Sequence, residues 1–261
     1  MLNRSINDLK QGIGLYRVWS YQAYHEISSK YKRTALGSLW ISGAMVATSL
    51  ALAVMIGGIQ RVSLPSILPY VMAGIMSFAL SGIYILSEAP EVFMSSSNII
   101  KNHAYPYTYY SFESLTRTFI IFLHNLVVFF IAMALIQALT LPNWTVIPAL
   151  LVVYANSLVW GGLASMVAAR FRDLRFMLPF CQQIIFFLTP VFWKPDNMGD
   201  WRSLLIAFNP FYGLVEIIRS PLLGHAASQL AWMQASCSLL LGSVLWLTVF
   251  SIFRKKIAFW I

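Results

Sequence analysis

Residues 118–169 read TFIIFLHNLVVFFIAMALIQALTLPNWTVIPALLVVYANSLVWGGLASMVAA, 52 residues without one Asp, Glu, Lys or Arg. A helix crossing about 30 Å of hydrocarbon needs about 20 residues at about 1.5 Å each, so the run is too long for a single crossing. Leu141-Pro142-Asn143-Trp144 divides it, because Pro and Asn favour a turn over a continuing helix. Two spans are expected, near 118–140 and 146–168.

Outward from this stretch, Thr34 to Gln60 and Val62 to Ser87 are also free of charge, as is Phe176 to Trp193. Ser220 to Phe253 holds one more span at its C-terminal end. The remaining four spans are therefore expected near 38–59, 66–87, 176–193 and 232–253. Composition agrees: of 261 residues, 59% are hydrophobic and 10% charged, with a mean hydropathy of +0.70. Soluble domains carry about a quarter charged residues, which their solvated surface requires. The fold class expected is all-α and membrane-integral, one transmembrane domain over 1–261. A net charge of +9 raises nucleic acid as a partner. The basic residues flank apolar runs, and no nucleic acid is expected.

Six spans put both termini on one side. With the N-terminus cytoplasmic, inside segments hold fourteen Lys and Arg, while outside segments hold only Arg61, Lys194, Arg202 and Arg219. That bias places both ends in the cytoplasm and the chain in the inner (plasma) membrane. The first 33 residues are polar and basic, unlike a cleavable signal peptide. Cys181 and Cys237 fall within spans and read as small apolar fillers. The four histidines are scattered, and no metal site is expected.

Before the first span, Leu9, Ile13, Tyr16, Trp19, Ala23 and Ile27 recur at three- or four-residue intervals. They define one face of an amphipathic helix within 1–37, either in the membrane interface or against a cytoplasmic partner. The cytoplasmic loop from Glu88 to Arg117 contains Ser95-Ser96-Ser97-Asn98, able to cap a short helix through Ile99, Ile100 and Lys101. Tyr105 to Tyr110 is rich in tyrosine, as interfacial segments are, or belongs to a docking element. Between the fifth and sixth spans, Leu204 to Phe208 and Phe211 to Ile218 are too short to cross. Breaks at Asn209-Pro210 and Ser220-Pro221 predict re-entrant or interfacial helices. Glu216 and Arg219 lie three apart, to pair on one helical face or to stand as separate surface charges.

The expected spans contain no Asp, Glu, Lys or Arg, which disfavours an ion-coupled transporter or a voltage sensor. No glycine-rich phosphate loop, nucleophile elbow or zinc-type His-Glu helix occurs, so the chain is not expected to be an enzyme by itself. A passive pore, an assembly scaffold and the membrane half of a pump powered by another subunit remain.

Several strings together resemble one family. Lys30-Tyr31-Lys32-Arg33-Thr34-Ala35-Leu36-Gly37-Ser38-Leu39-Trp40 is similar to the entry to the first span in type-2 ABC permeases that export polysaccharide. Arg172-Asp173-Leu174, Thr189-Pro190-Val191-Phe192-Trp193, Asn209-Pro210 and Glu216-Ile217-Ile218-Arg219 with Gly224 follow in that family's order. The resemblance covers nearly the whole chain and implies an exporter of lipid-linked glycan. O-antigen comes first as cargo, then capsule or teichoic acid, then a drug-type substrate. It implies a homodimer joined to two ATPase subunits, which bind ATP and Mg²⁺; this chain needs no cofactor of its own. The residues 98–103 (Asn98, Ile99, Ile100, Lys101, Asn102 and His103) would then couple to the ATPase.

A glycan path needs aromatic faces and weak hydrogen-bonding groups rather than fixed charge. Phe180, Gln183, Phe187 and Val191 form one such face, and Ser38, Ser42, Met45 and Ser49 another, unless these are packing faces. Lys30, Lys32 and Arg33 are placed to meet a lipid-linked pyrophosphate, or serve only as the positive flank that topology demands.

Overall fold

The computed structural model describes residues 2–32, 34, 37, 39–194, 204 and 206–261, and helices are its only regular elements among them. We number them α1 (Leu2–Gly14), α2 (Tyr16–Tyr31), α3 (Leu39–Gln60) and α4 (Leu64–Phe78). A π-helix (Ala79–Glu88) and a 3₁₀ turn (Ala89–Glu91) continue α4 into α5 (Val92–Ser95) and α6 (Ser97–Asn102). Then come α7 (Tyr107–Leu135), α8 (Val146–Arg170), α9 (Leu174–Leu188), α10 (Pro210–Leu222), α11 (Gln229–Phe253) and α12 (Ile257–Trp260).

Five helical segments are long and apolar enough to cross a membrane: Leu39–Gln60, Leu64–Asn102, Tyr107–Leu135, Val146–Arg170 and Gln229–Trp260. The fifth expected span, 176–193, is not among them, because α9 stops at Leu188. Pro190 cannot donate to the ladder, and the Thr189 hydroxyl and N–H both bond the Ile185 carbonyl at 2.8 Å, closing the helix. Its 15 residues rise about 22 Å. The chain nonetheless runs the depth of the bundle beside the second span. Glu91 meets Arg175, Ser87 donates to Gln182, Phe78 packs on Phe186, and the Tyr70 hydroxyl donates to the Pro190 and Trp193 carbonyls. Gly74 permits the last approach, because a Cβ there would collide with the Val191 carbonyl.

The helix that carries the expected span 118–140 begins earlier, at Tyr107, since Glu113 and Arg117 are accommodated within the bundle, Arg117 pairing with Glu26 at 2.7 Å. Tyr105 to Tyr110 thereby enters a helix start, with Tyr105 stacked on Tyr109 and Tyr110 buried. The expected single helix within 1–37 is two helices broken at Leu15, and only part of the expected face turns inward, with Leu9, Trp19 and Ile27 half-buried. Ser5, Asp8, Gly12 and Ala23 are buried, while Ile13 and Tyr16 are exposed. Gly12 lacks the Cβ that would strike the Thr108 hydroxyl, so α1 lies directly on the start of α7.

Asp8 explains that register. Its carboxylate accepts the N–H of Thr108 at 3.1 Å, that of Tyr107 at 3.3 Å and the Thr108 hydroxyl at 2.9 Å. These are first-turn donors of α7, which begins after Pro106 with no side-chain cap of its own. Arg254, at the end of α11, donates to the same carboxylate at 2.7 Å. A charge fully removed from solvent is thus held by helix donors and a guanidinium. The α1 segment and the end of α11 are drawn to one end of the bundle.

The short outer pieces form as expected in part. Asn209 caps α10 by accepting the Phe211 N–H at 2.9 Å, and α10 buries Leu214, Val215, Ile217 and Ile218 among α4, α8 and α11. Pro221 does not break it, because it sits in the last turn. Leu204 to Phe208 lies only partly within the described residues, with 206–208 helical.

Asp8→Ala leaves Arg254 and two helix N–H groups without their partner. It is expected to cost about 3–5 kcal/mol, the usual loss on breaking a buried ion pair. A melting curve of the detergent-solubilised protein reads this directly, and an unchanged midpoint would show that the pair adds nothing.

Candidate functional site: an uncharged helix face and a short exposed helix

On α9 the sequence-predicted face is open. Phe180 is 65% exposed and Phe187 57%, and Gln183 between them is exposed as well. With Phe176 they recur at intervals of four, three and four, a single stripe down the helix. Val191, expected on the same stripe, is instead buried, because the chain has already left the helix and turned onto Gly74. Trp193 folds back to donate to the Phe187 carbonyl at 3.1 Å, and Phe186, Phe187 and Phe192 pack on one another.

The first-span stripe is different. Ser42, Met45 and Ser49 are buried, with Ala53 and Gly57 below them, against α4 and α7. The Ser42 hydroxyl donates to Asn125 Oδ1 at 2.7 Å, and Ser49 points at the Met45 sulfur at 3.7 Å. Of the two readings the sequence left open, this chain uses the stripe for packing: small residues let α3 approach its neighbours. Ser38 lies outside the described residues.

At the inner end, α6 is the short helix that the serine run announced, although no side-chain bond caps it. Asn98, Ile99, Lys101, Asn102 and His103 are exposed. Ile100 turns inward and packs beside a cluster that includes Phe93, Tyr110 and Met166. The C-terminal α12 supports α6 from behind. Sequence reading missed the connection between this end and the α9 stripe. The Glu91 carboxylate, two elements before α6, lies 3.3 Å from Arg175 at the start of α9, and Ser87 donates to Gln182 at 3.3 Å. The only signal was a pair of opposite charges in two loops far apart in sequence.

Of the three basic residues assigned to a lipid pyrophosphate, Arg33 lies outside the described residues. Lys32 lines a cavity of about 370 Å³ between α2, the start of α3 and α7. Ser28, Thr34, Tyr24, Tyr31 and His124 share its wall, and Ile27, Ile41, Ile120 and Ile121 supply apolar surface. No carboxylate lines it among the described residues, and His124 Nε2 is buried without a hydrogen-bond partner. Lys30 does not line the cavity; its ammonium sits 5.6 Å from the Tyr31 ring centre.

Among the described residues no group of three or more His, Cys, Asp or Glu is placed to hold a metal ion. The arrangement is that of an all-α, multi-pass membrane protein with an exposed, uncharged helix face and a short, exposed helix at one end. Residues 22–223 match the ABC-2 type transporter family, and the chain belongs to it. Comparison with curated proteins gives no match. Membership makes this chain the transmembrane subunit of an ABC exporter, and it implies an ABC ATPase partner.

The contrast between the two stripes is measurable. Ser42→Ala strands the Asn125 carbonyl in a buried site and is expected to cost about 1–3 kcal/mol. Phe187→Ala removes an exposed ring and is expected to change stability by about 0.5 kcal/mol or less. Thermal unfolding of both variants distinguishes them; equal losses would place Phe187 in the core of the fold.

Proposed function

We propose that the chain is one half of a homodimeric permease that exports lipid-linked cell-surface polysaccharide, O-antigen first and capsule or teichoic acid next. The observation that carries this reading is the open Phe180, Gln183 and Phe187 stripe. A polysaccharide is long, rich in hydroxyls and must slide, so its path calls for ring faces and neutral amides. Fixed charges would hold each unit too tightly and would be costly within a bilayer. In the dimer two such stripes face one another across the path, while Ser42, Met45 and Ser49 stiffen the wall behind.

Two ATPase subunits supply the energy, binding ATP and Mg²⁺ in their own sites. They engage residues 98–103, with Ile99 as the exposed apolar contact and Ile100 as the anchor in this chain. A push on α6 reaches α9 through Glu91 and Arg175, and so moves the stripe. The lipid's pyrophosphate docks at the cytoplasmic end, where Lys30 and Arg33 attract it and the cavity at Lys32 receives it. His124 and four hydroxyl-bearing side chains supply donors there, and the isoleucines accept the start of the lipid chain. Both termini are cytoplasmic in this reading, in the inner membrane. The Asp8–Arg254 pair supports it by holding α1 and the end of α11 together.

Deleting the gene in its host tests the cargo. Loss of surface glycan, with lipid-linked polymer accumulating at the inner leaflet, is the expected result. Normal surface glycan and an unchanged inner pool would reject glycan export in favour of a drug-type exporter or an assembly scaffold. Coupling has its own test. Glu91→Arg is expected to lower export several-fold while ATP hydrolysis by the complex persists, and adding Arg175→Glu is expected to restore export. Failure of the double variant to rescue would remove the ion pair from the coupling route.

A further inference from the structure

At the end opposite Asp8, a second cavity of about 670 Å³ opens between the start of α4, the chain after α7, and α10. That volume falls within the range of about 300–1,000 Å³ usual for small-ligand sites. One wall is an ion pair in the interior: Arg219 is 1% exposed, pairs with Glu216 and donates to the Pro190 carbonyl. Its guanidinium lies 4.0 Å from the centre of the Tyr70 ring, and the Lys194 ammonium lies 5.6 Å from the same centre. Ser220 donates to the second Glu216 oxygen. The pair that the sequence left undecided is therefore a braced part of a wall.

Across from it stand Gln137 and Thr140. Gln137 has φ +56, in the left-handed region that favours glycine. It occupies the helix-stop position after α7: its N–H bonds the Ala134 carbonyl, and the Ala138 N–H bonds the Met133 carbonyl at 2.9 Å. Glycine is the usual residue there, because it meets no Cβ penalty. A long amide carried at a strained stop, on the wall of a cavity, is a second observation independent of the cavity's shape. Strain of this kind is stored where a side chain has a task.

The chemistry of the wall selects the ligand. Glu216 is already paired with Arg219, so the charges of the wall nearly cancel, with Lys194 in excess. Its polar groups, Gln137, Thr140, Ser66 and Ser220, alternate with apolar ones, Pro65, Pro69, Leu139 and Leu223, and with the rings of Tyr70 and Tyr212. Donors and acceptors interleaved around an aromatic ring suit a polyol, since each hydroxyl both donates and accepts. We propose that this outer cavity is a saccharide-binding site that holds a sugar unit of the exported glycan as it leaves, with Gln137 and Thr140 as contacts. The proposal rests on the glycan-export reading and adds to it a site within each subunit, apart from the α9 stripe.

Gln137→Gly gives a clean test, because it removes the amide while relieving the backbone. The permease–ATPase complex in lipid nanodiscs is titrated calorimetrically with oligosaccharide released from the host's own surface glycan. Wild type is expected to bind, Gln137→Gly to bind about tenfold more weakly, as loss of one or two hydrogen bonds implies, and Thr140→Val to weaken binding in the same direction. The melting temperature of Gln137→Gly is expected to hold or rise. No binding by wild type, or equal affinity in both variants, would overturn the site while a glycan-negative deletion strain still upheld export. Surface glycan untouched by the deletion would overturn the export reading and this site with it.

Discussion

A carboxylate buried without solvent is costly unless its lone pairs are used, and Asp8 uses its own on two other segments of the chain. It accepts first-turn N–H groups of α7, the Thr108 hydroxyl and the Arg254 guanidinium. The rest of the inner end follows from this knot. It seats α1 on α7 and fixes the close of α11. It leaves Arg254 with its guanidinium 5.8 Å from the Tyr107 ring centre. Next to it, α12 is positioned behind α6, so a single desolvated charge helps set the geometry around that short exposed helix.

Charge is sorted along the bundle by the same rule. At the inner end the pairs Asp8–Arg254, Glu26–Arg117 and Glu91–Arg175 tie neighbouring segments, and at the outer end Glu216 and Arg219 brace α10. Between the ends, contacts are apolar or use neutral hydroxyls and amides, such as Ser42 with Asn125 and Ser157 with the Leu80 carbonyl. Ions are affordable where water or a partner charge is near, while in the middle a hydrogen bond between neutral groups satisfies polarity at less cost.

The parts of the site that were legible in the sequence are those set by local pattern. The α9 stripe follows from its own spacing, and α6 follows from a serine run before two isoleucines. The inward face of α1 was not legible, because Ser5, Asp8 and Gly12 read as the polar side of an amphipathic helix until α7 supplies donors and a close surface. The start of α7 was hidden for a similar reason. Glu113 and Arg117 mark a loop only if they face water, and Arg117 instead faces Glu26. The ten-residue π-helix of Ala79–Glu88 has no sequence signature. It places Tyr84 to reach the Ser111 carbonyl and Ser87 to reach Gln182.

The sequence by itself determined that the chain is helical and membrane-integral, roughly where its spans lie, and which end is basic. These depend on transfer free energy, which each residue carries alone and which sums along a window of about 20 residues. The tertiary structure decided which faces those helices present. It buried Ser42 and opened Phe187, made Glu216 and Arg219 the wall of a cavity, and joined Asp8 to Arg254 across 246 positions. Such choices depend on the partner each polar group finds, and a partner distant in sequence leaves no mark on the local pattern.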